Sequence, residues 1–181
     1  MSIESVKARL PDYAKDLKLN LGTVLTAPGL TPQQAWGTAL ASAIAARNAE
    51  VLAAIEAEAA KHLDQTALTA ARAAAAIMSM TNIYYRFTHL VSAKDYASMP
   101  AKLGMTVIAN PGVDAVDFEL WSLAVSSING CGQCIDAHER QVTTKGASRE
   151  TVQNVIRIAA VIHAIAVTLE AAPAEASARA A

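Results

Sequence analysis

The chain has 181 residues and a formal charge of −1, and it is 53% hydrophobic but only 4% aromatic. It is long enough for one domain with its own core, and so small a net charge excludes the basic field that nucleic acid or an anionic membrane would need. Alanine supplies much of the apolar count; as the best helix former, and small enough for close helix contacts, it predicts an all-α fold.

The opening Met-Ser-Ile-Glu lacks the cationic start and apolar core of a secretory signal, and Arg72, Ser79, Arg157 and His163 break the longest apolar runs short of a membrane span. A cytoplasmic location is expected. Ser2 caps a short helix with Ile3, Val6 and Leu10 at helical spacing, and Pro11 ends it and opens a second helix carrying Tyr13, Leu17, Leu21 and Val24. After the turn Ala27-Pro28-Gly29-Leu30, Thr31-Pro32-Gln33-Gln34 places a capping Thr, a first-turn Pro and a capping-box Gln ahead of a helix to about residue 46. Asn48 caps the next, with Val51, Leu52, Ile55 and Ala59 on its buried face. Asp64 caps a long, alanine-dense helix over 65–90.

A polar connection from Ser92 to Pro100 leads to a short helix over 101–109, broken by Asn110-Pro111-Gly112. Asp114 caps the helix that carries Glu119 and Trp121. Asn129-Gly130 interrupts the chain, and a further helix runs from Cys131 to about Lys145 and ends at Gly146. Ser148 caps the last long helix, to about residue 171. One domain over 1–172 is expected, followed by a flexible tail at 173–181.

Sliding the chain along itself by 85 residues aligns Trp36 with Trp121, Ser42 with Ser127, Thr66 with Thr151, Arg72 with Arg157 and Ile77 with Ile162. This register predicts an internal duplication of a three-helix unit, about 32–86 and 117–171. It sets Ala46 and Ala49 opposite Cys131 and Cys134, Ala53 opposite His138, and Gln34 opposite Glu119. One half reads as scaffold and the other as the carrier of chemistry.

Both cysteines of the chain lie in Cys131-Gly-Gln-Cys134, and His138 follows one helical turn later. Thiols three residues apart on a helix have Cα atoms about 5 Å apart, within reach of a disulfide. In a reducing compartment such a pair points to redox catalysis or metal binding. The spacing predicts that Cys131, Cys134 and His138 project from one helix face, with Cys131 in the first turn, where the macrodipole favours its thiolate. The imidazole favours Cys134 instead. If Asn129-Gly130 folds its two helices into an antiparallel hairpin, Glu119 faces about position 141 at ~1.5 Å rise per residue, within reach of His138. The carboxylate then orients the imidazole and stabilises its cation.

Other readings stand beside this one. A c-type haem site needs His at position 135, which is Ile. Zinc could take Cys131, Cys134 and His138 but lacks a fourth ligand, so a zinc-stabilised, non-catalytic interaction module is the alternative from another class. A general protein disulfide reductase would use the same dithiol. Glu119 also reads as a helix N-terminal carboxylate that only complements the dipole. His163, in Ile-Ala-Ala-Val-Ile-His-Ala-Ile-Ala-Val, reads as a core histidine, His62 and His89 as helix-end cations, and the two Trp as duplicated core anchors.

Ser-Ile-Glu-x-x-Lys-x-x-Leu-Pro-x-Tyr-Ala-Lys-Asp at the start, Ala-Ile-Met-x-Met-x-Asn-x-x-Tyr-Arg over 76–86, Ile-Ala-Asn-Pro-Gly over 108–112, and Phe-Glu-Leu-Trp-Ser with Ile-Asn-Gly-Cys-x-x-Cys-x-x-x-His-Glu over 118–139 carry a family likeness. The chain resembles the AhpD alkyl hydroperoxide reductases of the carboxymuconolactone decarboxylase-like superfamily, to about residue 171. The resemblance implies a duplicated all-α fold, a homotrimer, and reduction of hydrogen peroxide and alkyl hydroperoxides by the cysteine pair, with no bound cofactor. It implies re-reduction by dihydrolipoyl groups on a lipoylated acyltransferase subunit, and electron transfer to the peroxiredoxin AhpC. Carried over by position, Cys134 attacks the peroxide, Cys131 resolves, and Glu119 and His138 relay protons. Members of the family can have His between the cysteines where this chain has Gln133, which cannot exchange a proton near neutral pH.

Overall fold

A computed structural model describes residues 1–172, so the expected flexible tail lies outside the described residues. Those residues form α-helices with two 3-10 segments, the longest connection running over 91–105, and no strand is found among them. The helix starts follow the local chemistry of the chain. Ser2 and Ser5 cap α1 (Ile3–Arg9) reciprocally. Pro11 then forces a 3-10 turn, Asp12–Ala14, before α2 (Lys15–Val24). That turn rotates the expected apolar face: Ala14, Leu21 and Val24 are buried, while Tyr13 is 78% exposed.

Thr31 and Gln34 form the capping box of α3 (Pro32–Ala46), Asn48 caps α4 (Ala49–Ala59) and Asp64 caps α5 (Gln65–Leu90). Each cap satisfies a backbone N–H that the first turn leaves unpaired. The short helix expected over 101–109 is only α6 (Thr106–Ala109), because the chain holds Lys102 at φ +51°, outside the helical region. Asp114 caps α7 (Ala115–Ile128), α8 spans Gly132–Thr144, and Ser148 caps α9 (Arg149–Ala171). The helices fall into two triples of similar lengths: 15, 11 and 26 residues for α3, α4 and α5, and 14, 13 and 23 for α7, α8 and α9.

Helix α3 is the axis of the core, packed on α4, α5, α7 and α9. Its small residues allow this: Ala39, Ala41 and Ala43 are fully buried, so neighbouring backbones come close. Gly37 shows the constraint most sharply. A Cβ built there would lie 2.1 Å from Cε2 of Trp121, which has no exposed surface. Burying an indole of this kind contributes roughly 4–6 kcal/mol of hydrophobic free energy, so the small residue on α3 is what lets α7 dock. The Trp121 indole N–H also donates to Gln34 O at 3.3 Å. Asp117, the buried acid of α7, accepts from Gln33 Nε2 at 2.7 Å and Gln34 Nε2 at 2.9 Å, which locks the starts of α3 and α7 together.

Three expectations need correction. By length and composition α9 is long and apolar enough to cross a membrane, despite Arg157 and His163. Here it packs on α2, α3 and α7, and its apolar residues Val155, Ile158, Ile162, Ile165 and Leu169 enter the core. His163 is exposed rather than a core histidine, because it falls in phase with Arg157, Ala160 and Val167 on the outward stripe of α9. Trp36 is only partly buried and stacks on His62 with ring centroids 4.6 Å apart, whereas Trp121 is the core anchor.

Candidate active site

The chain reverses between α7 and α8 at Asn129-Gly130, with Gly130 at φ +67°. Cys131 follows in extended backbone and caps α8 instead of entering its first turn, which corrects the expected one-face arrangement of the two sulfurs and His138. Its Sγ accepts the Cys134 N–H at 3.3 Å, the place a serine or aspartate oxygen takes at an ordinary helix start. Cys131 and Cys134 are joined as a disulfide with Cα atoms 5.3 Å apart. Cys131 is wholly buried; Cys134 retains 6% exposure.

The hairpin brings Glu119 and His138 together. Glu119 Oε2 lies 2.6 Å from His138 Nδ1, and both side chains are largely shielded, at 14% and 12% exposure. The partner lies one turn closer to the hairpin than the idealised position 141. His138 Nε2 faces the thioether of Met78 on α5, 3.2 Å from Sδ. Both ring nitrogens therefore point at acceptors. The Glu119 contact fixes the orientation of the ring and directs Nε2 toward α5.

Cys134, Gln133, Ala137 and His138 of α8 line a cavity of about 170 Å³, closed by Met78, Thr81 and Tyr85 of α5 and by Met105 and Ile108 beside and on α6. Cys131 is absent from its wall. The cavity thus gives Cys134, with His138 on the same wall, access to a small molecule through a mostly apolar lining. Tyr84 meets Tyr85 edge to face, with centroids 5.3 Å apart.

A polar network, buried at Asn82 and Ser126 and open to solvent at Arg86, ties the Asn129-Gly130 turn to α5. Asn129 Nδ2 donates to Asn82 Oδ1 at 3.0 Å, Asn82 Nδ2 donates to Ser126 Oγ at 2.9 Å, and Arg86 donates to the Asn129 carbonyl at 2.6 Å. The Cys131 N–H closes the turn on Ser126 O at 3.1 Å. Sequence reasoning did not find Met78, Asn82 and Ser126 as parts of the site. The available signal was polar Thr81, Asn82 and Ser126 on otherwise apolar helix faces, since a buried polar side chain needs a partner. Among the described residues no three His, Cys, Asp or Glu side chains are grouped to hold a metal ion.

The model of the carboxymuconolactone decarboxylase family matches residues 94–176, which include all four site residues predicted from sequence. Similarity to alkyl hydroperoxide reductase AhpD proteins extends over nearly the whole chain. The relative from Rhodospirillum centenum is 63% identical over 171 residues, 94% of this chain and 92% of that protein. Those from Gluconacetobacter diazotrophicus and Bradyrhizobium sp. BTAi1 are 60% and 57% identical, each aligned over at least 95% of both chains. Identity of this depth over full-length relatives makes the chain a member of the AhpD family of alkyl hydroperoxide reductases.

Proposed function

We propose that the chain is a thiol peroxidase that reduces hydrogen peroxide and alkyl hydroperoxides through Cys134 and Cys131. The carrying observation is that Cys134, and not Cys131, opens on an apolar cavity that it shares with a Glu119-paired His138. In the dithiol form the Cys134 thiolate attacks the terminal peroxide oxygen. The O–O bond breaks, His138 Nε2–H protonates the departing alkoxide, and Cys134 becomes a sulfenic acid. Cys131 then attacks that sulfur, the disulfide forms and water leaves. Glu119 holds the imidazole by Nδ1 and stabilises its cation between steps. Gln133 lines the cavity as a hydrogen-bonding group only, so His138 carries the proton traffic here.

Dihydrolipoyl groups on a lipoylated acyltransferase subunit return two electrons and two protons. The burial of both sulfurs supports a slender dithiol arm over a folded protein disulfide as the exchange partner. Electron transfer to AhpC and a cytoplasmic location complete the reading. A homotrimer is supported by Ile83, Phe87 and Leu90 of α5, which stand 62%, 49% and 70% exposed, with Tyr96 meeting Phe87 edge to face. The paired helix triples are read as copies of one unit, with the chemistry kept in the second.

Steady-state peroxide reduction with dihydrolipoyl protein against thioredoxin as donor tests the assignment. Turnover is expected with the first, and comparable turnover with thioredoxin would overturn the lipoyl step. Sulfenic acid trapping on Cys134→Ser should fail; trapping at the wild-type rate would transfer the attack to Cys131.

A further inference from the structure

The sulfur of Met78 has surroundings that packing does not explain. Met78 is 2% exposed, yet four polar atoms surround Sδ: His138 Nε2 at 3.2 Å, Thr81 Oγ1 at 3.6 Å, Ser126 Oγ at 3.6 Å and Asn82 Nδ2 at 3.8 Å. Thr81 also donates to Ile77 O, and Asn82 Nδ2 to Ser126 Oγ. Among the described residues, His138 Nε2 and the Ser126 hydroxyl have no acceptor other than this sulfur. A thioether accepts hydrogen bonds weakly, whereas a sulfoxide oxygen accepts strongly. An oxygen on this sulfur would find stronger hydrogen-bond partners in the Ser126 hydroxyl, and in His138 when Nε2 carries a proton, than the thioether does.

We infer that Met78 is a second peroxide-reactive sulfur, and that its sulfoxide switches the enzyme off when peroxide outruns the supply of reductant. Met78 and Cys134 line one cavity. Once Cys134 is held in the disulfide, a hydroperoxide that enters meets the thioether as the remaining nucleophile beside the His138 proton. The sulfur lone pair attacks the terminal, hydrogen-bearing oxygen, an S–O bond forms and the O–O bond breaks. His138 gives its Nε2 proton to the departing alkoxide and regains one from the hydroxylated sulfur. The products are methionine sulfoxide and an alcohol, or water from hydrogen peroxide; the thioether loses two electrons and the peroxide gains them. The new oxygen takes the His138 Nε2–H and the Ser126 hydroxyl as donors. His138 then no longer protonates a leaving oxygen at Cys134, even after the disulfide is reduced.

The inference rests on the cavity being a peroxide site, but its test uses the disulfide form, whose sulfurs cannot reduce peroxide, so the two readings fail separately. The full-length disulfide protein is treated with graded cumene hydroperoxide or hydrogen peroxide, and each methionine peptide is followed by mass. Exposure alone predicts that Met1 and Met99, 65% and 53% exposed, oxidise first. We expect Met78 to oxidise ahead of both, and to lose that lead in His138→Leu. Met78 remaining reduced while Met1 and Met99 are oxidised would overturn the inference.

After removal of peroxide and reduction of the disulfide, turnover should fall about 10²-fold, the scale of a lost general acid. Met78→Leu should keep its own starting rate through the same challenge. A fixed pocket should form one sulfoxide epimer, so activity should return with only one of the two stereospecific methionine sulfoxide reductases. Full activity in protein whose Met78 is oxidised would refute the switch.

Discussion

Glu119→Gln isolates the role of the carboxylate, because it keeps the shape and a possible acceptor while removing the charge. The pair it disrupts is short, 2.6 Å, and both partners are more than four-fifths shielded from solvent. A charge-assisted hydrogen bond in such a place contributes about 1.5–3 kcal/mol. If that energy is felt when His138 becomes a cation and gives up its proton, the rate falls by about 10- to 150-fold. The assay is steady-state reduction of an alkyl hydroperoxide with dihydrolipoyl donor in excess, with the fall expected in kcat and little change in KM. Thermal melting of the disulfide form controls for folding. Because Glu119 acts through His138, His138→Gln and the double variant should be nearly equal in rate, with the two effects far from additive. A Glu119→Gln rate within about twofold of wild type, on a scale where each 1.4 kcal/mol is tenfold, would show that the carboxylate only complements the helix terminus.

Cys131→Ser should preserve α8, since serine Oγ can accept the Cys134 N–H in place of Sγ. Peroxide should then leave Cys134 trapped as sulfenic acid, visible with a dimedone-type probe, and a lack of labelling would refute the resolving role. Gly37→Ala places a methyl 2.1 Å from the Trp121 indole, so it should cost about 1–3 kcal/mol or more and lower Tm by several degrees; unchanged melting would show that α3 and α7 can separate freely. His163→Ala, on the exposed stripe of α9, should change stability by no more than about 0.5 kcal/mol in urea titration. A loss of several times that would restore the core reading.

Much of the helix order was legible because helix starts are local. Ser2, Thr31, Asn48, Asp64, Asp114 and Ser148 each sit before the segment they cap, and a cap needs only neighbours within three residues. The in-phase Cys134 and His138 were legible for the same reason. The pairing of Glu119 with His138 was accessible one step further, because a two-residue break between helices permits a hairpin. The same local rules failed where a single backbone angle decided the outcome: Lys102 shortened α6, and Cys131 left the helix to cap it.

Side-chain direction and contacts between distant segments belonged to the tertiary structure. A His within an apolar run gives no sign of which stripe of a helix faces outward, and the packing of α9, chiefly on α2, α3 and α7, placed His163 in solvent. The meeting of Met78 with His138 spans 60 residues of sequence, and no periodicity relates them. It exists because α3 is small enough at Gly37 for α7 to dock, which carries the α7–α8 hairpin against α5. By itself the sequence determined most of the helix starts and the placing of two cysteines and a histidine within one turn-and-helix segment. Only the packing decided that Cys134 faces the cavity, that Cys131 does not, and that the second ring nitrogen of His138 faces a thioether, because those depend on how three helices fill space together.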